Sequence, residues 1–398
     1  MENKHWQHVT QRRISRRSML NWSARTGVGA AGIALVGCGD DDDDDDDAVA
    51  TTPTPTAPAP DAPADDNGLP PRPSRDFEGP LLGTDIQANG PYKIGFSYPV
   101  FDIPFFTQGV HFGAVQECTR LGIECVFTFG GGYDKPEAQV NDMEDLIAQN
   151  PDGIVLTAAG DAALIPVIDK AAANGIVVTS FSIDSESETF FGFEGISHLE
   201  QGLQSSQIMI DCLEDRGVTN GKVIAVGGPA GAAWYDPRKE GLDTVFGGST
   251  HEVVSHQYTS SAREETIRVF EDLLTANPDV DGVWTGNADQ AMGVIQVLET
   301  RGFEAGEVCV VSGAGLSEEY SNRIREGWYF ANLTQQAVIT GEQAIRKIVA
   351  HINGDTSVPF HVIEPFIIIT AENVDTVDTS TISAPEGFDP PSRVAPAN

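Results

Sequence analysis

The stretch YKIGFSYPVFDIPFF, residues 92–106, decides the fold of this chain. Ile94, Phe96 and Tyr98 alternate with smaller residues, which is the period of a β-strand. Pro99 then ends the strand, because proline lacks the backbone donor that an inner strand requires. A long helical pattern follows at once. In an open α/β sheet, a loop at the carboxyl end of a strand is where ligands bind, so this loop is the first candidate site.

Strand and helix patterns alternate from residue 91 onward. Strand-like runs cover residues 94–98, 124–129, 153–157, 176–181, 222–226, 252–258, 282–285 and 308–312, and helical patterns lie between them. The order strand, helix, strand at 153–181 recurs at 282–312. We therefore predict an α/β protein with two doubly wound parallel-sheet lobes and a cleft between their strand ends.

The charge of the chain excludes some partners. A formal net charge of −35, from 59 acidic and 24 basic residues, would repel nucleic acid and anionic membrane surfaces. Such an acid-rich surface is typical of proteins for concentrated salt, because salt screens the repulsion. An ordinary acidic extracytoplasmic protein is the alternative.

Residues 1–37 have the features of an export signal. Arg16-Arg17-Ser18-Met19-Leu20 resembles a twin-arginine signal, and Leu35-Val36-Gly37-Cys38 resembles a lipobox whose cysteine is lipidated after cleavage. The apolar run at 27–37 is too short to span a bilayer. We expect export by the twin-arginine route and a membrane contact through the lipid on Cys38 only, facing the periplasm or the cell exterior.

Residues 38–90 are predicted to form a tether. Eight consecutive aspartates at 40–47 are followed by a segment rich in Pro, Ala and Thr. A segment with so little apolar bulk cannot order itself by burial, and its charges extend it.

Four further cysteines are candidates for disulfides, which an exported chain permits. Cys118 and Cys125 are seven residues apart at a helix-to-strand turn. They either form a disulfide or are small buried residues, and the sequence leaves both alternatives open. No C-x-x-C or H-x-x-x-H spacing occurs, so we expect no metal and no other cofactor.

Several motifs resemble the ribose-type periplasmic sugar-binding proteins of the type I periplasmic binding protein family. They are IGF at 94–96 with DIPFF at 102–106, QNPDGIVL at 149–156, ANGIVV at 173–178, GNADQAMG at 286–293 and NLTQ at 332–335. The resemblance covers residues 91–370 and implies two lobes joined by three hinge crossovers, near Gly195, Gln335 and Gly354. The implied N-terminal lobe comprises 91–195 and 336–353, the C-terminal lobe comprises 196–335 and 354–385, and 386–398 form a tail.

The resemblance also implies ligand contacts in the first lobe. Phe105 and Phe106 match paired aromatic residues that pack on a sugar ring, and Asp102 matches a polar position that accepts from a hydroxyl group. Core packing of a ring and helix capping by the carboxylate are the alternatives. After the strand at 176–181 the family has an acidic residue, which corresponds to Asp184, or to Ser182 if the register differs by two.

In the second lobe, Asn287 and Gln335 match ligand-binding amides, which both donate and accept hydrogen bonds. Helix capping and hinge hydrogen bonding are the alternatives for these two. The arginine that ribose binders carry after the strand at 222–226 falls here on Tyr235 or Asp236. A second family aspartate falls on Ala314.

These departures disfavour ribose itself, because a hydrogen bond to a charged group contributes about 1.5–3 kcal/mol. Trp234 offers a third ring face that favours a larger or more apolar ligand, and its alternative role is packing on the lobe surface.

The resemblance implies a monomeric solute-binding lipoprotein that captures a small polar ligand, a sugar or polyol, for the membrane permease of an ABC importer. A ligand sensor for a chemoreceptor or receptor kinase is the alternative function. An enzyme on the same fold is a remote one, because no G-x-S-x-G elbow, P-loop or metal-ligand spacing is present.

Overall fold

A computed structural model describes residues 70–101, 103–133 and 135–396 of the chain, without the side chain of Asp161. The expected signal peptide, Cys38 and most of the expected tether lie outside the described residues, and so does Asp102.

Strands and helices alternate along the described chain. The strands are β1 Glu78–Gly79, β2 Lys93–Tyr98, β3 Glu124–Phe129, β4 Gly153–Leu156, β5 Val177–Phe181, β6 Gly192–Gly195, β7 Lys222–Gly227, β8 Glu252–Tyr258, β9 Gly282–Thr285, β10 Cys309–Gly313, β11 Ala331–Thr334, β12 His361–Ile363, β13 Ile367–Thr370 and β14 Arg393–Val394. The helices are α1 His111–Leu121, α2 Pro136–Ile147, α3 Asp161–Ala173, α4 His198–Asp215, α5 Asp236–Gly247, α6 Arg263–Ala276, α7 Ala288–Thr300, α8 Glu318–Arg325 and α9 Ala337–Ile352. A π-helical turn, Phe105–Val110, leads directly into α1.

The first lobe is built on an eight-stranded sheet in the order β1-β12-β6-β5-β4-β2-β3-β14. β2 lies inside this sheet, between β3 and β4, and pairs with both in parallel. Ile94, Phe96 and Tyr98 are fully buried on one face of the strand, and Gly95 and Ser97 are buried on the other, as expected for an inner strand that is covered on both sides. α9 packs on this core through Ala344, Ile345 and neighbouring residues.

The second lobe is built on a six-stranded sheet in the order β13-β11-β10-β9-β7-β8. Its strands are parallel except β13, which runs antiparallel to β11. Trp284 of β9 is 1% exposed, and its indole nitrogen donates to the Ser205 hydroxyl at 2.9 Å. The predicted α/β class with two doubly wound lobes is confirmed.

Up to β13, the chain passes between the two sheets at three places, and the third differs from the prediction; a fourth passage, from β13 to β14, returns it to the first sheet. It leaves β6 for α4, β11 for α9, and β12 for β13. We placed the third crossover near Gly354, but β12 still belongs to the first sheet, where it pairs in parallel with β6. The crossover therefore lies between Ile363 and Ile367, and the assignment of residues 354–363 to the second lobe is wrong.

Two terminal segments also join the first sheet, contrary to the predicted tether and tail. β1 extends the sheet beside β12, and β14 pairs antiparallel with β3. Arg75, just before β1, donates to the Ser185 carbonyl and lies 4.7 Å from the centre of the Phe360 ring. The sequence did not indicate these strands because a two-residue strand has no measurable period.

Each lobe contains one disulfide. Cys118 of α1 is bonded to Cys125 of β3, which resolves the alternatives left by the sequence. Cys212 of α4 is bonded to Cys309 of β10 across a separation of 97 residues. We did not predict the second pair, because its partners meet only through the tertiary fold.

Candidate functional site

The carboxyl ends of the strands of both sheets face the crossovers. β6 and β12 run parallel to the inner strands of the first sheet, and each passes from its carboxyl end into the second lobe. β11 runs parallel to β10, and it passes from its carboxyl end back into the first lobe. The loops that follow the strands of both lobes are thus directed to one region, which is where open α/β sheets bind ligands.

The two phenylalanines of the first loop have different environments. Phe106 is 3% exposed and packs among Tyr98 and Phe181, with ring centres 5.8 and 5.9 Å away. Phe105 is only half-buried, and its ring centre is 5.2 Å from that of Phe106. Phe106 therefore has the core packing that we gave as the alternative, and Phe105 retains an exposed ring surface.

Ser182 and Asp184, in the loop after β5, have different surroundings. Ser182 follows the strand directly, with a left-handed φ of 64°, and its carbonyl accepts from His198 Nε2 at 2.9 Å. The Asp184 carboxylate lies 3.3 Å from Arg75 Nη1 and 3.4 Å from His361 Nε2. Asp184 is thus already paired with two basic side chains of the first lobe.

Asn287 begins α7 at the carboxyl end of β9. Its Oδ1 accepts from the backbone N–H of Gln290 at 2.9 Å, and the Gln290 side chain accepts from the Asn287 N–H in return. This capping box uses Oδ1, so Nδ2 is the side-chain atom that stays available to a ligand.

Gln335 lies in the second crossover, 5% exposed, immediately after β11. Three residues earlier in β11, the side-chain oxygen of Asn332 is buried without a hydrogen-bond partner among the described residues. Buried acceptors of this kind are normally satisfied, so this edge of the second sheet has spare capacity for a donor.

Residues Trp234 to Asp236 separate into three environments. Tyr235 is fully buried, and its hydroxyl is 2.8 Å from His256 Nε2, so it belongs to the core of the second lobe. Burial also raises its pKa. Asp236 is exposed at the first position of α5. Trp234 is half-buried and lies over Gly228 at the end of β7, where any Cβ would collide with its ring.

A guanidinium does lie at this edge, because Arg238 follows two residues after Asp236, in the first turn of α5. Arg238 is 3% exposed, and its guanidinium lies 4.9 Å from the centre of the Trp234 ring. Nη1 donates to the Gly286 carbonyl at 2.6 Å, next to Asn287. Burial lowers the pKa of Arg238 to about 9, so it is still charged at neutral pH.

Arg238 is connected to the first lobe through His198. Arg238 Nη2 lies 3.2 Å from His198 Nδ1, while His198 Nε2 is bonded to the Ser182 carbonyl. A carbonyl only accepts, so Nε2 carries the proton and Nδ1 accepts from Arg238. Burial and the charge of Arg238 lower the pKa of His198 to about 3, which keeps the ring neutral. These hydrogen bonds link the end of β5 to the end of β9.

A model of the periplasmic binding protein domain matches residues 94–356, about two thirds of the chain. The chain belongs to the periplasmic binding protein family. The resemblance to ribose-type members is confirmed: the ribose import binding protein of Bacillus subtilis is 22% identical over 253 residues, covering 64% of this chain and 79% of that protein. The D-apiose import binding protein of Paraburkholderia graminis is 28% identical over 300 residues, covering 74% and 92%.

Solved structures of family members have the same fold. The substrate-binding protein of a sugar ABC transport system from Bordetella parapertussis superposes with a TM-score of 0.69 at 23% identity, over 77% of this chain and 98% of that one. An ABC transporter solute-binding protein from Mycobacterium smegmatis, with bound glycerol, gives a TM-score of 0.65 at 28% identity, over 74% and 100%. These relatives are solute-binding proteins and not enzymes.

The sequence contained one signal that would have found Arg238 in this family member. Asp236-Pro237 is a typical start of a helix, which places Arg238 in the first turn of α5, two residues after Asp236. Our alignment followed the turn only as far as Asp236. Ala314, where the family has an aspartate, is half-buried with a φ of 76° and offers no side-chain acceptor.

The first and third crossovers meet at a buried carboxyl group. The Glu364 N–H donates to the Gly195 carbonyl at 2.6 Å, and its side chain is 2% exposed. Burial raises the pKa of Glu364 to about 8, which the nearby Thr340 hydroxyl offsets only in part. Glu364 is therefore mainly a neutral acid at pH 7.

No group of three or more metal-ligating side chains occurs among residues 70–396 as far as they are described. In the same part of the chain, no helix is both long enough and apolar enough to cross a bilayer.

Proposed function

We propose that this chain is an extracytoplasmic solute-binding protein that captures a small polyhydroxylated ligand, a sugar or a polyol, and delivers it to the permease of an ABC importer. The observation that carries the proposal is the meeting of both sets of strand ends at the three crossovers. Relatives named for ribose, xylitol and D-apiose support the ligand class.

The mechanism of ligand binding follows from the side chains at the carboxyl ends of the strands in the two sheets. The rings of Phe105 and Trp234 provide apolar faces for a sugar ring, and each such stack contributes about 0.5–1.5 kcal/mol. The amides of Asn287 and Gln335 and the hydroxyl of Ser182 bind ligand hydroxyl groups. Rotation at the crossovers brings the lobes together around the ligand, and no bond is made or broken.

Thermal unfolding with a panel of sugars and polyols tests this function. A ligand present at 100 times its Kd stabilises the folded protein by about 2.7 kcal/mol, so a true ligand raises the melting temperature by several degrees. Small-angle scattering should show a smaller radius of gyration with the same ligand. A panel without any thermal shift or change in radius contradicts the proposal.

We also propose that the chain is exported by the twin-arginine route and anchored by a lipid on Cys38, as a monomer. Labelling with a fatty acid in cells tests the anchor, since a Cys38→Ala variant should lose both the label and its membrane association. Unchanged label in that variant would refute it. Import is preferred to sensing because the named relatives include import binding proteins.

A further inference from the structure

We propose that two arginines of the segment before β2, Arg72 and Arg75, position the loop after β5 for ligand binding. This loop comprises residues 182–191, and Ser182 at its start is a candidate ligand position. Both arginines precede residues 94–356, the part of the chain that matches the family. The inference rests on the proposed function and adds to it a support for the binding site from outside the matched domain.

The loop has little regular structure of its own. All ten of its residues are described, and none belongs to a helix or a strand. Its N–H groups make short local bonds, from Ser185 to Asp184 Oδ1 at 2.7 Å and from Thr189 to Ser187 Oγ at 3.2 Å. Asp169 of α3 accepts from the Ser187 and Thr189 hydroxyls, at 2.7 Å each. Local bonds bend a chain without fixing it to a sheet, so the arrangement of the loop depends on contacts from other elements.

The two arginines bind the middle of the loop through its carbonyl groups. Arg75 Nη2 donates to the Ser185 carbonyl and, at 3.2 Å, to the Ser187 carbonyl. Arg72 Nη1 donates to the Glu188 carbonyl. Ser185 and Ser187 are each 2% exposed. Without the guanidinium, the Ser185 carbonyl would lose a donor in a nearly buried segment, which is unfavourable for this arrangement of the loop.

The charges of the segment and the loop are complementary. The loop carries Asp184, Glu186 and Glu188. Arg75 Nη1 lies 3.3 Å from Asp184 Oδ2. Basic residues are scarce in this chain, with 24 against 59 acidic ones, and two of them lie here, at positions 72 and 75. They reduce the repulsion among the carboxylates of the loop, and so they favour its compact arrangement.

The segment that carries the arginines is attached to the first lobe by other contacts as well. β1 pairs in parallel with β12 at the edge of the sheet. The Leu82 N–H donates to Gln343 Oε1 of α9 at 2.6 Å, and the Leu82 carbonyl accepts from Gln343 Nε2 at 3.0 Å. Replacing the two arginine side chains should therefore release the loop while β1 stays in the sheet.

Ser182 connects the loop to the cleft. It has a left-handed φ of 64°, and its carbonyl accepts from His198 of the second lobe. A loop that samples several arrangements presents Ser182 correctly for only part of the time. The apparent Kd rises as the fraction of binding-competent molecules falls. Arg72 and Arg75 thus increase affinity by holding the loop in one arrangement, without touching the ligand.

Hydrogen exchange in the ligand-free protein tests whether the arginines hold the loop. In the double variant Arg72→Gln/Arg75→Gln, the amides of residues 182–191 should exchange about tenfold faster, because local opening becomes easier. Amides of β5 and α9 should keep their rates. Unchanged exchange in the loop overturns the inference.

Titration calorimetry tests the effect on binding. The probe is the tightest binder to the unaltered protein among D-ribose, D-glucose, D-galactose, xylitol and sorbitol. The double variant should bind it about five- to tenfold more weakly, because part of the cost of ordering the loop moves to the binding step. In stopped-flow fluorescence the loss should lie in the association rate, since fewer molecules are competent. A loss confined to the dissociation rate would indicate a direct ligand contact and contradict a positioning role.

Two further variants separate positioning from general stability. Arg75→Lys should retain part of the affinity, because a lysine keeps the charge and a donor without the fork of the guanidinium. It also provides the test if the double variant does not fold. Arg393→Gln is the matched control, since Arg393 of β14 pairs with Glu124 at the other edge of the same sheet. Neither its affinity nor the exchange of the loop should change. Urea denaturation of each variant measures stability, and a loss of affinity that only follows the loss of stability overturns the inference.

The remaining outcomes separate the two proposals. A double variant that binds the probe as tightly as the unaltered protein overturns the positioning role and leaves sugar binding intact. Absence of binding to the unaltered protein by every sugar and polyol overturns both.

Discussion

Lys347 and Arg238 are both buried cations, but their surroundings differ. The Lys347 ammonium is fully buried under the first sheet, where it meets the Glu194 carboxylate and the carbonyls of Phe193 and Phe360. Arg238 has a carbonyl, an imidazole and an indole face, with no described carboxylate. The first arrangement is complete within the chain, whereas the second holds a buried guanidinium without a described counter-ion.

The largest effect on the free energy of unfolding should come from breaking the buried pair of Lys347 and Glu194. Lys347→Met leaves the Glu194 carboxylate buried and unpaired, which should reduce the free energy of unfolding by about 3–5 kcal/mol. The double variant Lys347→Met/Glu194→Gln should recover much of that loss, because no isolated charge remains. Urea denaturation measures both. A double variant as unstable as the single one would show that packing, and not charge, holds this site.

The neighbouring carboxyl group of Glu364 should make stability depend on pH. Its pKa is about 8 in the folded protein, above the value of 4.5 for an unperturbed glutamate. Below pH 4.5 both states hold the proton, so the group has no effect. Between about pH 4.5 and 8 only the folded state holds it, so the free energy of unfolding falls as pH rises, by about 1.4 kcal/mol per pH unit, and then levels off.

Glu364→Gln removes that slope while keeping the shape of the side chain. We expect it to be more stable than the unaltered protein at pH 8 and nearly equal at pH 4.5, as measured by denaturation over this range. An unchanged slope would mean that the group titrates at its ordinary value and that the hinge is open to water.

The protein should tolerate the loss of Arg238 better than the loss of Lys347. Arg238→Met forfeits hydrogen bonds to Gly286 and His198, worth about 1 kcal/mol each, but it also removes an unmatched buried charge. We expect a net loss of about 1–2 kcal/mol in free energy of unfolding, well below that of Lys347→Met. A loss as large as that of Lys347→Met would mean that Arg238 is structural, and the comparison would fail.

The smallest effect should come from Arg75, at the surface of the first lobe. Its pair with Asp184 is about 40% exposed on each side, so Arg75→Ala should cost at most about 1 kcal/mol, including its contact with the Phe360 ring. The effect of the ion pair should shrink in high salt. A larger loss would indicate that Arg75 also holds β1 in the sheet.

Sequence patterns predicted the features that depend on residues close together in the chain. The alternation in residues 94–98 indicated an inner strand, and the confirmed fold follows from repeating that pattern. Asn287 and Trp234 could be placed at strand ends because a strand, a turn and a helix succeed one another directly in the sequence.

Predictions failed where distant residues decide the environment. Phe106 is buried because Tyr98 and Phe181 lie around it, and the partner of Asp184 is 109 residues away in what we took for a tether. β12 joins the first sheet through β6, more than 160 residues earlier in the chain. Arg238 escapes the sequence comparison for a simpler reason, since it lies two residues beyond the turn, in the first turn of α5.

The two disulfides have a consequence for motion. Cys118–Cys125 lies within the first lobe and Cys212–Cys309 within the second, so neither joins elements of different lobes. Formation of the two disulfides can thus stiffen each lobe separately. Neither disulfide restrains the rotation of one lobe relative to the other. A change in the redox state of the surroundings would therefore alter the stability of the protein, but it would not lock the two lobes in an open or a closed arrangement.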